Sequence, residues 1–198
     1  MYSELVEHNV NNRDRIVHVS DLGYFNQERN FDAYASAFQF DKYILEYVKI
    51  AGGIKGFGEE AGTGKVYSEI MWIDIDNANL IEAQTTAQQL IANLNKKYEV
   101  YADDLMIFFS GNKGFHIGIH NKLFNGLIFK GGYDLHDRIK MMAVEIADGL
   151  PIDTRIYNKN RIFRIPNSMN MKSGLYKIPI SYEELCEEIY LSALLVAS

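Results

Sequence analysis

Met71-Trp72-Ile73-Asp74-Ile75-Asp76-Asn77 places two carboxylates inside an apolar run. The stretch predicts a short strand. Side chains alternate between faces in a strand, so Asp74 and Asp76 share one face. Neighbouring carboxylates in an apolar setting repel and are poorly solvated. A shared proton or a bound cation offsets that cost, and hard divalent ions such as Mg2+ or Mn2+ favour oxygen ligands of this kind. On this stretch alone a second reading stays open, in which one Asp caps the following helix and the other faces water.

The flanking sequence predicts the elements that would hold this strand. On the N-terminal side the strand extends back to Tyr67. Beyond it, Asn79 and Glu82 have capping-box spacing, with Asn in place of Ser or Thr. They predict a helix to about Lys97, with Ile81, Leu90, Ile91 and Leu94 inward and the glutamines outward. Leu105–Phe109 is a continuous apolar run, hence a buried strand. Ser110-Gly111-Asn112-Lys113-Gly114 is a tight turn, and Phe115–His120 alternates as the partner strand. Asp134–Asp148 reads as a helix stopped by Gly149. Arg161–Ile165 and Tyr176–Ile180 read as strands joined by a turn at Lys172-Ser173-Gly174. Ser181 and Glu184 form a capping box for a last helix, Tyr182–Val196.

The N-terminal third is less patterned. Ile16–Val19 reads as a short strand. Asn30 or Asp32 is a candidate cap for a helix carrying Tyr34, Phe38, Tyr43, Ile44, Tyr47 and Val48 inward, with Gly52 and Gly53 ending it. The glycine-rich stretch Gly56–Lys65 is not a phosphate loop: Glu59 stands where Gly is needed, Val66 follows the Lys, and the stretch precedes a strand. A hairpin or surface loop fits it better. Helices and strands interleave without regular alternation, which predicts an α+β architecture with mixed sheets. We expect one domain over residues 1–198, with an N-terminal module of about 1–65 packed on a module of about 66–198.

Composition bounds the function. The chain has 198 residues, 47% hydrophobic and 23% charged, enough for one sizeable core. Its single cysteine, Cys186, excludes an internal disulfide framework and a Cys-rich structural zinc site. The N-terminus is polar and acidic, unlike a secretory signal, and no apolar run would span a membrane. A cytoplasmic protein is expected. The net charge of -6 argues against coating nucleic acid by bulk charge. The charge is segregated, however. Arg155, Lys159, Arg161, Arg164, Lys172 and Lys177 face the single acid Asp153 in their stretch, whereas Glu183, Glu184, Glu187 and Glu188 crowd the last one.

The Ser110–His116 hairpin has the parts of an anion cradle. Gly111 and Gly114 let backbone N–H groups approach a ligand, Ser110 offers a hydroxyl, Lys113 a charge and His116 an imidazole. Arg161 and Arg164 add planar forks suited to phosphate. Three residues apart, they would fall on opposite faces of a regular strand, so a bend is needed if both meet one ligand.

In order, these stretches resemble the archaeo-eukaryotic primase superfamily, the fold of primase small subunits, primase-polymerases and bacterial end-joining polymerases. Ile73-Asp74-Ile75-Asp76 is similar to its first motif. Ser110-Gly111-Asn112-Lys113-Gly114-Phe115-His116 is similar to its Ser-Gly-x-x-Gly-x-His motif. Ile152-Asp153, followed by Asn158-Lys159-Asn160-Arg161-Ile162-Phe163-Arg164, resembles the third, especially its primase-polymerase branch. The resemblance covers roughly Val66 to Ser181 and implies a primase-like core with an RRM-like catalytic half. It implies that Asp74, Asp76 and Asp153 are catalytic and hold two Mg2+ or Mn2+ ions. It further implies that Ser110, Gly111, Lys113, Gly114, His116, Arg161 and Arg164 bind nucleotide, with Lys172 or Lys177 as helper. Asn170 stands near the place of the family's further lysine.

The activity implied is template-directed nucleotidyl transfer, making or extending primers from nucleoside triphosphates on a single-stranded template, most simply DNA. A helicase or accessory domain outside this chain, and a prokaryotic, phage or mobile-element source, go with it. The alternatives are a gap-filling or end-joining polymerase, a non-catalytic nucleotide- or nucleic-acid-binding module, and a metal-dependent nuclease.

Overall fold

The computed structural model describes residues 1–25, 30–58, 64–124 and 131–187. The chain opens with β1 (Tyr2–Val6), β2 (Ile16–His18) and α1 (Val19–Phe25). Three short strands follow, β3 (Asn30–Phe31), β4 (Tyr34–Ser36) and β5 (Gln39–Phe40), then α2 (Ile44–Ala51) and β6 (Val66–Tyr67). Next come β7 (Ile70–Asp76), α3 (Leu80–Tyr98), β8 (Leu105–Phe109), β9 (Gly114–His120) and α4 (Leu135–Ala147). The last part holds β10 (Ile162–Arg164), β11 (Ser168–Met169), β12 (Ile178–Pro179) and α5 (Tyr182–Cys186).

These elements form an α+β fold with two main sheets. The first has the order β10-β4-β1-β5-β6, with β2 also on β1. The second has the order β12-β8-β9-β7. In it β9 is antiparallel to both β7 and β8, so those two run parallel on either side of it. That is a split βαβ unit with α3 as its crossover. The chain after α4 returns to both sheets: β10 joins the first against β4, and β12 joins the second against β8. β11 pairs parallel with β3.

Alternation along β7 sets its two faces. Met71, Ile73 and Ile75 are buried in the core that α3 and α4 share with the sheet. Burying each stabilises the fold by roughly 2 kcal/mol. Trp72, Asp74 and Asp76 point the other way. Asn79 caps α3, its side chain accepting from the Ile81 N–H at 3.0 Å.

Several expectations need correction. The helix expected from about residue 32 starts only at Ile44. Asp32 has a left-handed φ of 43°, unlike the extended backbone of a helix cap. Tyr34–Ser36 instead forms a strand between β1 and β10, so tertiary pairing overrides the helical spacing. Gly52 does end the helix in a left-handed turn. The Tyr67–Asp76 strand is two strands in different sheets, split at Ser68, whose hydroxyl donates to the Ile70 carbonyl. On α3, Ile81 is 71% exposed while Gln84 is 8% exposed. The Gln84 amide donates to the carbonyls of Leu185 and Glu187 at the end of α5, and Gln88 donates to Leu185 as well. The strands expected at 161–165 and 176–180 are shorter and lie in separate sheets. The Ser181–Glu184 capping box is present, but residues 188–196 of the expected last helix lie outside the described residues, as do 59–63 of the glycine-rich loop. Among the described residues no helix is long and apolar enough to cross a membrane.

The seven-residue register of β7 against β9 sets Asp74 opposite His116 and Asp76 opposite Gly114. Gly114 permits it: a Cβ there would lie 1.8 Å from the Ile75 carbonyl oxygen. Gly114→Ala should therefore cost about 2–3 kcal/mol of stability, read by urea denaturation. Wild-type stability in that variant would contradict the close approach.

Candidate functional site

The end of the second sheet and the edge of β10 meet in a groove lined by Asp74, Asp76, Ser110, His116, Arg161 and Arg164, with Tyr34, Asn112 and Asn170 alongside. Residues as far apart in sequence as Tyr34 and Asn170 thus share one surface. Asp74 is buried and Asp76 exposed. Burial first, then the charge of Asp76, push the Asp74 carboxyl up to about 7. Arg161 offsets part of this, its Nη2 standing 3.7 Å from Asp74 Oδ2. Asp74 Oδ1 is enclosed without a hydrogen-bond partner.

His116 Nε2 lies 3.5 Å from that same oxygen. The contact is not an ion pair. Burial, and then Lys177, Arg161 and Arg164, hold the imidazole well below its ordinary pKa and so neutral. Its ring packs edge-on against Phe163 at 5.0 Å, and its Nδ1 has no partner. The Ser110 hydroxyl is likewise buried and unpartnered, while the Ser110 N–H closes the turn onto the Gly114 carbonyl. A buried polar atom left unpaired is costly. Asp74 Oδ1, Ser110 Oγ, His116 Nδ1 and Arg161 Nε all belong to residues of this one groove.

The bend needed for the two arginines is present. Arg161 sits before β10 in a turn, its N–H donating to the Asn158 carbonyl. Arg164 ends the strand. Arg164 is anchored: Nη1 donates to Asp32 and to the Met169 carbonyl, and Nη2 to the Tyr34 hydroxyl. Burial raises the Asp32 pKa, but hydrogen bonds led by Arg164 outweigh it and the net shift is downward. Sequence reasoning missed Asp32 and Tyr34, because only the β4–β10 register, which pairs Tyr34 with Arg164, brings them there. It also missed Asn112.

Asp153 is tied to the strand, its N–H donating to the Asp74 carbonyl at 2.9 Å. Its carboxylate is otherwise engaged. Arg155 Nε and Nη2 donate to its two oxygens, each at 2.9 Å, and this pairing lowers the Asp153 pKa. Nothing in the residue pattern marked Arg155 beyond its place in the basic stretch. Gly111 and Gly114 shape the hairpin. Lys113 and Lys172 are exposed and do not line the groove. Asn170 does line it, and its Oδ1 accepts from the Lys172 N–H.

The donors suit a hard divalent cation in kind: two same-face carboxylates, one with a buried unpartnered oxygen. As a set of three they are not assembled. Among the described residues no three His, Cys, Asp or Glu side chains cluster as a metal site, and the Asp153 carboxylate is paired with Arg155. An apolar cavity of about 300 Å³ adjoins the groove, lined by Trp72, Phe108 and Met106 and sharing Phe163 and Arg164 with it. It carries no acidic pair.

No protein-family model matches the chain, and no curated protein does. Among solved structures, the polymerase domain of Mycobacterium tuberculosis Ligase D in complex with DNA superposes with a TM-score of 0.47 and 11% identity, over 98% of this chain and 69% of that one.

Lys177 is the buried cation behind the groove, 1% exposed. Its Nζ donates to the Arg164 carbonyl at 2.9 Å and lies 4.8–5.9 Å from the rings of Trp72, Phe108 and Phe163. Burial brings its pKa down to about 7. Between about pH 7 and 10.5 the folded chain has released a proton that the unfolded chain still holds, so folding becomes more favourable as pH rises through that window. In urea denaturation, wild type should gain stability relative to Lys177→Met from pH 7 to 10. A pH-independent difference would contradict the buried amine.

Proposed function

We propose that the protein is a metal-dependent, template-directed nucleotidyltransferase of the primase or primase-polymerase kind. The observation that carries this is the convergence of three sequence-remote motifs on one groove. Asp74 and Asp76 of the first motif, Ser110 and His116 of the second, and Arg161 and Arg164 of the third line it, whereas Asp153 of the third does not. The reading treats the chain as one catalytic domain, with a module of about 1–65 packed on 66–198 and an RRM-like half supported by the split βαβ unit.

In this reaction a 3′-hydroxyl oxygen attacks the α-phosphate and pyrophosphate leaves. Mg2+ or Mn2+ ions bound at Asp74, Asp76 and Asp153 would lower the charge cost of both the attacking and the leaving oxygen. The chain's own residues divide the remaining work. Arg161 faces both the acids and the ligand space and balances phosphate charge. Arg164, fixed by Asp32 and Tyr34, presents a pre-oriented guanidinium and so loses little entropy on binding. The Ser110 hydroxyl and the neutral His116 imidazole supply hydrogen bonds for phosphate oxygens. Lys113 and Lys172 stand outside the groove and act, on this reading, only on parts of the substrate that reach beyond it.

The second reading, a gap-filling or end-joining polymerase, uses the same groove and differs in needing a primer. Partners on either reading are nucleoside triphosphates and a single-stranded template, with a helicase or accessory domain beyond this chain.

Asp74→Asn and Asp76→Asn should each lower nucleotide incorporation by at least about a thousandfold, the scale of several kcal/mol of transition-state stabilisation, with unchanged circular dichroism. Primer extension at the wild-type rate by either variant would refute the assignment. His116→Ala should weaken nucleotide binding by about tenfold and template binding far less. Equal losses in separate titrations would contradict the cradle. Reactions with and without primer separate the two readings.

A further inference from the structure

The Asp153–Arg155 pair fits none of the roles above. Asp153 is held against the acid strand by its own N–H, yet both carboxylate oxygens are taken by Arg155. The Arg155 N–H also donates to Asp153 Oδ1, at 2.9 Å. The guanidinium is not a packing element, since its side chain is 85% exposed. It lies within the field of Asp74 and Asp76 as well as Asp153. A cation carried by the chain therefore sits on Asp153, one of the three carboxylates that the proposed reaction needs for a divalent ion.

We infer that Arg155 is an exchangeable internal cation that occupies Asp153 until a divalent ion displaces it. The inference rests on the metal-dependent reading of the groove and adds a residue and an order of events to it. While Arg155 is in place, Asp153 is unavailable as a ligand, and part of the repulsion among the three acids is balanced. When a divalent ion binds, the two guanidinium hydrogen bonds to Asp153 break and the exposed side chain swings into solvent. The Asp153–Asp74 main-chain contact is independent of the carboxylate and stays, and the Arg155 N–H remains a backbone donor to Asp153 Oδ1. Arg155 is a positioning residue on this account and touches no reacting atom.

The test is Mn2+ binding to the full chain without nucleotide, measured by electron paramagnetic resonance and calorimetry. Wild type should bind, and Asp74→Asn should weaken binding by at least tenfold. Arg155→Ala should tighten it by about fivefold, the scale of an exposed carboxylate pair. Arg155→Lys, which keeps the charge but loses the two-pronged donor, should fall between. In an Asp153→Asn background, Arg155→Ala should give no further tightening, because the contact it would release is already gone.

Unchanged or weaker binding in Arg155→Ala, with Asp74 dependence intact, would overturn the role of Arg155 and leave the metal site standing. Tightening that persists in the Asp153→Asn background would show a long-range charge effect and would also overturn it. Absence of Mn2+ binding in both wild type and Arg155→Ala, or binding indifferent to Asp74→Asn, would remove the metal reading itself and this inference with it.

Discussion

The antiparallel register of β7 against β9 is the constraint on which the site depends. It sets Asp74 beside His116 and Asp76 beside Gly114. A slip of one residue would turn Met71, Ile73 and Ile75 out of the core and the acids into it. Those apolar residues are almost fully buried, so the core enforces the register and the register delivers the acids to the hairpin. The close approach at Gly114 belongs to the same arrangement, since only a residue without Cβ lets the turn sit against the acid strand.

Around that frame the charges are ordered by burial. Asp74, Lys177 and His116 are enclosed. Each is pushed towards its neutral form by desolvation. Asp76, Arg161 and Asp153 are more open. Lys177 and Arg164 are linked through the Arg164 carbonyl, so the buried amine supports the strand end from which Arg164 reaches the groove. Arg164 is already satisfied by Asp32 and Tyr34, whereas Arg161 Nε has no partner. One arginine is therefore fully paired, and the other, held at Asp74, keeps an unpaired Nε. In this acidic chain Arg161 and Arg164 share one groove with Asp74 and Asp76.

Much of the second sheet was legible in residue pattern. The alternation of β7, the apolar run of β8 and the Ser110–Gly114 turn are local signals, and local signals survive folding when the core agrees with them. The N-terminal sheet was not legible. Tyr34–Ser36 carries apolar spacing compatible with a helix, and only its partners β1 and β10, far away in sequence, make it a strand. The same limit hid Asp32 and Tyr34 as the anchors of Arg164. Gln84 and Ile81 changed places for a tertiary reason too: α5 brings carbonyls that need a donor. Asp153 was marked by its motif, but its pairing with Arg155 two residues on depends on the turn that follows it, which residue type alone does not specify.

If the proposed function holds, one metal–nucleotide complex engages the acid strand and the hairpin together. Crystals grown with Mn2+ and a non-hydrolysable nucleoside triphosphate test it most directly, through the anomalous scattering of manganese. A manganese peak is expected between the carboxylates of Asp74 and Asp76, with the phosphates directed at Ser110 and His116. Manganese bound away from both aspartates, or a triphosphate seated elsewhere on the molecule, would contradict it.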